Sequence, residues 1–239
     1  MQEPSFLISP NIKAEIIQIG TEQTPIIIID DIAVDNTDVI NYACTTSKFS
    51  DDTATFYPGK RAPLPQPYVI TILQAVYQGI CHVYQIPIEL NLVPLDHNYS
   101  LLTKTEGELK LLQRMPHFDT SEPYHFAVLH YLNPAPHGNT GFFRHIPTGY
   151  ERIQEDRIEQ YINSAKEYVA KNGDPIQNYV TCSDKHYELY YEVEYKPNRL
   201  VIYPGSLLHS TIVKTQTDID SSPYTGRLTA NMFIDFRVR

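Results

Sequence analysis

A histidine and an aspartate stand two residues apart in the segment RMPHFDT, residues 114–120. We predict that this segment ends a strand, where residues i and i+2 point to the same side, so His117 and Asp119 can bind one metal ion. A third ligand must come from a distant strand, and we predict His209, which follows a strand and a Pro-Gly turn in NRLVIYPGSLLHSTIV. Two imidazoles and one carboxylate suit non-haem Fe(II) with open positions for substrate and dioxygen. The alternative is two polar residues leaving a sheet edge.

An arginine begins the predicted last strand, in the segment TGRLTANMFIDF. The planar guanidinium of Arg227 is suited to bind the distal carboxylate of a cosubstrate through paired hydrogen bonds. Thr229 lies on the same strand face and can donate another hydrogen bond. A buried arginine is costly without such a partner. The alternative is a surface arginine that pairs with an acidic residue.

The composition limits the classes of partner. The chain has 239 residues, a formal net charge of −9 and a pI near 5.4. An acidic protein repels phosphate backbones, so we do not expect nucleic acid as a partner. The three cysteines, Cys44, Cys81 and Cys182, are far apart and form no CxxC pair, so we predict buried free thiols rather than disulfides or a zinc site.

The chain shows no targeting or membrane signal. Its N-terminus lacks the basic and apolar regions of a signal peptide. The longest purely aliphatic run, residues 26–29, is too short to span a bilayer. We therefore expect a cytoplasmic protein with no membrane partner.

The pattern of apolar residues predicts a mixed first third and a β-rich remainder. Strands are predicted over 13–20 and 25–30, helices over 36–47 and 69–84, and a proline-rich loop over 56–67. Short strands then follow at 97–103, 108–116, 125–131, 140–145, 187–195, 199–203, 207–213 and 227–237.

These elements predict a mostly β fold with flanking helices. We expect a double-stranded β-helix, a cupin-like jelly roll, buttressed by N-terminal helices. The chain is then a single domain over 1–239, with an N-terminal α/β support region over 1–95 and a jelly-roll core over 96–239. Apolar residues at helical spacing predict a helical insert over 151–173, either a lid or interface or a helix packed on the outer sheet.

Several blocks occur in one order along the second part of the chain. They are PHFD, HYLN (130–133), GNTGFF (138–143), LVIYPGSLLHS (200–210) and GRLTANMF (226–233). Together they resemble the Fe(II)/2-oxoglutarate-dependent oxygenase superfamily, in the style of its prolyl-hydroxylase-like branch. They also resemble an uncharacterised bacterial family within that superfamily, which has similar PHFD and FFRH blocks. The resemblance covers roughly residues 96–239.

The resemblance implies roles for particular residues. His117, Asp119 and His209 would bind Fe(II), and Arg227 with Thr229 would bind the distal carboxylate of 2-oxoglutarate. Tyr131, in HYLN, matches a tyrosine that often hydrogen-bonds the same carboxylate in this branch. Two intervals depart from the pattern of the superfamily. The Asp119–His209 interval is long and includes the helical insert, and the His209–Arg227 interval includes an extra loop over 214–224.

The expected function is a 2-oxoglutarate-dependent dioxygenase. It would hydroxylate an unactivated C–H bond of an amino-acid-like or peptide substrate and release succinate and CO2. Arg144 and His145, in GFFRH, would contact the substrate at the cavity opening, and the alternative is a solvated strand end. Two other functions stay open, a non-catalytic cupin-like module that binds a metal or small acid and a cupin enzyme that does not use 2-oxoglutarate. A homodimer is compatible with the sequence.

Overall fold

Antiparallel β structure makes up most of the fold, as the sequence predicts. The structure is a computed structural model, and it describes residues 6–51, 56–134 and 136–238. The strands in these residues are β1 (Lys13–Ile19), β2 (Thr24–Asp30), β3 (Ser50–Asp51), β4 (Gly59–Pro63), β5 (Asn91–Leu102), β6 (His125–Tyr131), β7 (Thr140–His145), β8 (Tyr187–Val193), β9 (Leu200–Pro204), β10 (His209–Thr211) and β11 (Leu228–Arg237).

The strands form two sheets. A large sheet has the order β1-β2-β9-β6-β11-β5-β4-β3, and a small sheet has the order β10-β7-β8. All of the pairings are antiparallel. The four N-terminal strands, β1 to β4, belong to the large sheet and occupy both of its ends.

Helices accompany the sheets near the predicted positions. The α-helices in the described residues are α1 (Thr37–Thr45), α2 (Gln66–Val83), α3 (Ile158–Asn172) and the short α4 (Thr215–Asp218). The predictions of helices over 36–47 and 69–84 are confirmed by α1 and α2. In the predicted insert, a 3₁₀ turn precedes α3, and Gly173 follows it with φ 87°. None of the helices in the described residues is long and apolar enough to cross a membrane.

The two faces of the large sheet have different partners, because successive residues of a strand point to opposite sides. On one side, which includes Met232, the strands pack against α1 and α2, for example at Ile72. We call this side the helix face. On the other side, which includes Tyr203, the strands pack against the small sheet, for example at Phe142. We call this side the cleft face.

The strand predicted over 108–116 is wrong. Two 3₁₀ turns, Glu106–Glu108 and Leu111–Arg114, occupy this segment instead. The Glu108 carboxylate accepts hydrogen bonds from the main-chain N–H and the hydroxyl of Thr105, at 2.8 and 2.7 Å. Such local side-chain bonds compete with a β ladder and favour a turn.

Two other predictions need correction. The loop predicted over 56–67 contains β4, which pairs with β5 near the edge of the large sheet, where proline is tolerated. The cysteines are free, as predicted, but they are not buried, since Cys44 and Cys81 are half-buried and Cys182 is exposed.

Candidate metal centre

Main-chain pairing brings His117 and His209 opposite each other. The N–H of His117 donates to the carbonyl oxygen of His209 at 3.0 Å, and the N–H of His209 donates back at 2.8 Å. This isolated antiparallel bridge joins the segment after the second 3₁₀ turn to β10. Asp119 is fixed two residues later, because its N–H donates to the carbonyl oxygen of Gly205 at 2.7 Å. Directly opposed residues point to the same side, so all three side chains converge.

The geometry of the three side chains suits one metal ion. Possible ligand atoms of His117, Asp119 and His209 all lie within 4.8 Å of one another. The Nε2 atom of each histidine is 3.9 Å from Oδ1 of Asp119. Two ligand atoms that each bind an ion at about 2.1 Å can be up to about 4.2 Å apart. Among the described residues, this is the one group of three or more histidine, cysteine or carboxylate side chains with such a geometry.

Hydrogen bonding prepares His209 to be a ligand. Its Nδ1 donates to the carbonyl oxygen of Leu207 at 2.9 Å, which leaves the lone pair on Nε2, the nitrogen nearest Asp119. This arrangement fixes the tautomer and the ring orientation that a metal requires. The ring also packs edge-on against Tyr203, with the centroids 4.9 Å apart.

His117 is accessible to solvent although protein surrounds it. Its side chain is 56% exposed, yet burial by the surrounding protein lowers its pKa to about 3, and the charges of His209 and Arg61 lower it further. A side chain can be both accessible and enclosed by protein if it faces a recess. Burial also raises the pKa of Asp119, and the charges of the neighbouring His209, His125 and Arg61 oppose that rise. The low pKa of His117 keeps its imidazole neutral, which is the form that binds a metal.

His125 lies beside the centre, which the sequence does not predict. Its Nδ1 donates to Asp235 at 2.6 Å, while its Nε2 is buried and has no hydrogen-bond partner in the part of the chain that the structure describes. A Cβ on Gly205 would lie 2.4 Å from Cδ2 of His125 and 3.4 Å from Cβ of Asp119. Gly205 therefore separates His125 from a candidate ligand, and only glycine fits there without displacing a neighbour. Sequence signals identify His125 only as a residue of a strand.

Arg227 is buried beside two tyrosine rings on the cleft face of the large sheet. It is 2% exposed, and its guanidinium carbon is 5.6 Å from the ring of Tyr131 and 5.5 Å from the ring of Tyr195. Its Nε donates to the carbonyl oxygen of Gly138 at 2.9 Å. Its Nη2 is buried and has no hydrogen-bond partner among the described residues. A buried charge with an unpaired donor is costly, and a carboxylate ligand would satisfy it.

The two hydroxyls predicted to help Arg227 already have partners. Thr229 and Tyr131 are directly opposite each other across β11 and β6. The hydroxyl of Thr229 donates to Asn231 at 2.7 Å, and the hydroxyl of Tyr131 is 2.6 Å from that of Thr140. Either hydroxyl must rotate or share its hydrogen bond before it can contact a ligand.

Tyr203 connects the metal centre with Arg227. Burial raises its pKa well above the usual value, and the charges of Asp119 and Tyr131 raise it further, whereas Arg227 lowers it. The ring of Tyr203 packs on His209 and belongs to the same buried cluster as Tyr131 and Tyr195, the rings beside Arg227. One cluster of tyrosine rings therefore connects the candidate metal ligands with the buried cation.

Arg144 and His145 are engaged inside the protein. Arg144 bonds Glu151 and Glu188. His145 has one ring nitrogen 2.7 Å from the hydroxyl of Thr148 and the other 3.0 Å from Nε2 of His186. These contacts do not favour the predicted role of either residue in substrate binding.

The fold and site define a mostly antiparallel β protein with a candidate His-Asp-His metal centre. Comparison with protein families gives a match over residues 10–234 to one described as "Family of unknown function (DUF6445)". The match covers most of the chain, so the chain belongs to this family. No curated protein matches it.

Five chains in solved structures give a match to this structure. One is described as "Crystal Structure of a Novel N-Substituted L-Amino Acid Dioxygenase from Burkholderia ambifaria AMMD", with 8% sequence identity and a TM-score of 0.37. The match covers 89% of this chain and 82% of that one. A likeness at this level supports no transfer of activity.

Proposed function

We propose that this protein is an Fe(II)- and 2-oxoglutarate-dependent oxygenase, and that its two sheets are those of a double-stranded β-helix, or jelly roll. The proposal includes one domain with a β core and an N-terminal support region. The expected substrate is an amino-acid-like or peptide molecule that is hydroxylated at an unactivated C–H bond. The sequence resemblance described above supports the same class.

One observation carries the proposal. His117, Asp119 and His209 converge on the same side of the large sheet as Arg227, a buried arginine whose Nη2 has no partner among the described residues. Two imidazoles and a carboxylate are the donor set that non-haem Fe(II) oxygenases use. A keto acid with a second, distal carboxylate needs a cation near the metal, and Arg227 would provide it.

The protein's own residues would bind, orient and enclose the reactants. His117, Asp119 and His209 would hold Fe(II), while Arg227 would bind the distal carboxylate of 2-oxoglutarate. The rings of Tyr131 and Tyr195 hold the guanidinium in place. When bound, iron and 2-oxoglutarate supply the oxidising chemistry, in which 2-oxoglutarate, dioxygen and a C–H bond are converted to succinate, CO2 and a C–OH group.

The first test is spectroscopic and needs no knowledge of the substrate. Apo-protein is mixed anaerobically with Fe(II) and 2-oxoglutarate, and the visible spectrum is recorded. We expect a weak metal-to-ligand charge-transfer band that requires both components and is lost in His209→Ala. Oxygen should then convert 2-oxoglutarate to succinate slowly in the wild type.

A negative result would have a defined meaning. If metal binds but 2-oxoglutarate produces no band, the oxygenase assignment is wrong, and the cupin-like alternatives take its place. Full succinate production by His209→Ala would overturn the ligand assignment.

A further inference from the structure

The loop over residues 214–224 lengthens the interval between His209 and Arg227, the proposed clamp for the distal carboxylate. The loop contains the short helix α4, whose last residue is Asp218. The N–H of Arg227 donates to the carbonyl oxygen of Asp218 at 3.2 Å. The loop is therefore bonded directly to the main chain of the clamp residue.

The carboxylate of Asp218 is also connected to the side chain of Arg227, through Gly138. Asp218 is fully buried, and its carboxylate accepts hydrogen bonds from the N–H of Gly138 at 3.1 Å and of Lys214 at 2.8 Å. The carbonyl oxygen of the same glycine accepts the hydrogen bond from Nε of Arg227 at 2.9 Å. A Cβ on Gly138 would lie 2.0 Å from the carbonyl oxygen of Ile212 and 2.6 Å from Oδ2 of Asp218. Asp218 therefore holds in place the glycine whose carbonyl orients the guanidinium.

Asp218 orients Arg227 without occupying the nitrogen that a ligand would use. Its Oδ1 is also 3.0 Å from Nδ1 of the buried His137, so both carboxylate oxygens have partners. Nη2 of Arg227 has no hydrogen-bond partner in the part of the chain that the structure describes. The loop therefore supports the guanidinium from the Nε side and leaves Nη2 for a carboxylate.

Asn133 holds the chain at the other end of the loop. It is buried, and its Nδ2 donates to the carbonyl oxygens of Pro223 at 2.8 Å and Gly226 at 2.7 Å. Gly226 directly precedes Arg227. The carbonyl oxygen of Asn133 accepts a hydrogen bond at 3.0 Å from the hydroxyl of Tyr195, one of the two rings beside Arg227. Asn133 therefore connects the end of the loop with the aromatic ring that packs on the guanidinium.

We propose that Asp218 and Asn133 are positioning residues, which hold Arg227 in the orientation that binds the distal carboxylate of 2-oxoglutarate. An arginine binds a carboxylate best through paired hydrogen bonds, which depend on the orientation of the planar guanidinium. A side chain that is already held in place also loses less freedom when the ligand binds. The loop over 214–224 is then part of the cosubstrate site. The inference rests on the proposed function, since it takes Arg227 as the clamp.

The test compares 2-oxoglutarate with 2-oxobutyrate, a keto acid that can chelate the metal but has no distal carboxylate. Each is titrated anaerobically into the full-length protein loaded with Fe(II), and the charge-transfer band gives the two values of Kd. The ratio of these values measures what the distal carboxylate contributes. We expect the wild type to prefer 2-oxoglutarate, and Asn133→Ala and Asp218→Ala to reduce this preference at least about fivefold. The Kd of 2-oxobutyrate should change little in either variant.

Two further variants make the result specific. Asp218→Asn keeps an oxygen that can accept the hydrogen bond from Gly138, so it should retain most of the preference that Asp218→Ala loses. Thr225→Ala is the matched control, because it removes a hydrogen bond to Asp220 within the same stretch of chain, and it should keep the wild-type ratio. Asn133→Ala changes no charge and keeps the test valid if Asp218→Ala does not fold.

A second measurement needs no cosubstrate. Hydrogen exchange in the ligand-free protein, followed by mass spectrometry, reports on the N–H of Arg227 that donates to Asp218. Because local opening controls such exchange, it should be at least about tenfold faster in Asn133→Ala than in Thr225→Ala.

The inference is overturned if Asn133→Ala and Asp218→Ala keep the wild-type preference, or if they weaken both keto acids equally, as a general loss of folding would. Unchanged hydrogen exchange at Arg227 in Asn133→Ala would also overturn it. If the wild type shows no band, or binds 2-oxobutyrate as tightly as 2-oxoglutarate, the proposed function fails instead. The hydrogen-exchange comparison would still decide whether the loop holds Arg227.

Discussion

Arg227 holds a buried positive charge between two tyrosine rings, and its Nη2 is unpartnered among the described residues. Replacing a poorly paired buried charge by an apolar residue is often neutral or stabilising. We therefore predict that Arg227→Met has an unchanged or raised Tm without ligand. Loss of a buried charge pair with a ligand costs about 2 kcal/mol or more, so affinity for 2-oxoglutarate should fall at least about 30-fold.

Thermal melts with Zn(II), with and without 2-oxoglutarate, measure both effects. The cosubstrate should raise the Tm of the wild type and leave that of Arg227→Met unchanged. Arg152→Met is the control for loss of an arginine, because the guanidinium of Arg152 pairs with Glu22. An undiminished response to 2-oxoglutarate in Arg227→Met would place the clamp elsewhere.

Gly205 provides a second prediction at this scale. A methyl group at this position would collide with the ring of His125 and press toward Asp119. Since residues that orient ligands typically contribute 10- to 100-fold to metal affinity, Gly205→Ala should weaken Co(II) binding by about that factor. Titration followed by visible absorption measures the affinity.

Gly107→Ala is the control for that experiment. A Cβ at Gly107 has no heavy atom within 4 Å in the described structure. The variant should therefore bind Co(II) as the wild type does. Equal affinities in both variants would mean that the contact across Gly205 does not position Asp119.

At the scale of elements, helix α3 and the small sheet enclose a histidine pair. Nε2 of His145 is 3.0 Å from Nε2 of His186, and the ring of His186 is stacked on Tyr168 of α3 at 3.9 Å. Burial, with a smaller effect from His186, lowers the pKa of His145 to about 4. Only one proton fits between the two nitrogens, so protonation of both rings would separate them.

This pair predicts a pH dependence of stability. His145 binds a proton near pH 6.5 when unfolded and near pH 4 when folded, so the unfolded state binds more protons between these values. The free energy of unfolding should therefore be highest above pH 6.5 and fall as the pH is lowered toward 4. His145→Gln should make this decline shallower in urea unfolding of apo-protein. His82→Gln, a change at an exposed position, should retain the wild-type slope.

Periodicity predicts the long elements, and local chemistry explains the failures. Helices α1 and α2 and most strands follow from apolar spacing, because one side of each element is buried. Residues 108–116 have a similar composition, but the bonds between Thr105 and Glu108 fold the start of this segment into a turn. A period of two in apolar residues does not reveal such a competing local bond.

In the candidate site, too, spacing predicts some features and contacts between distant segments decide the others. The spacing of His117 and Asp119 is enough to predict that they converge, although the cause is a bridge to His209 and a bond to Gly205 rather than a strand end. His125 could not be predicted, because it approaches Asp119 only through a turn that is distant in sequence. The partners of Arg144 and His145 likewise depend on how the insert packs, which spacing does not determine.

At the scale of the whole molecule, a bound metal would join parts of the chain that are far apart in sequence. Residues 117–119 and 209 bring the 3₁₀ segment against the small sheet. A ligand that binds only the folded state stabilises it, by about 2.7 kcal/mol when its concentration is 100 times Kd. We predict that Zn(II) raises the midpoint of urea unfolding and that EDTA reverses the change. Asp119→Asn should abolish the response, and Asp156→Asn, an exposed acid, should keep it.

Alternate residues of β11 point to the helix face, and the residues between them point to the cleft face. Ala230 and Met232 are packed in the core, while Thr229 and Asn231 belong to the opposite side. Substitutions at neighbouring positions of β11 therefore have different effects, on helix packing at one position and on the lining of the cleft face at the next. Libraries of variants should therefore tolerate only apolar residues at 228, 230, 232, 234 and 236, whereas polar residues at 229 and 231 should leave the fold intact.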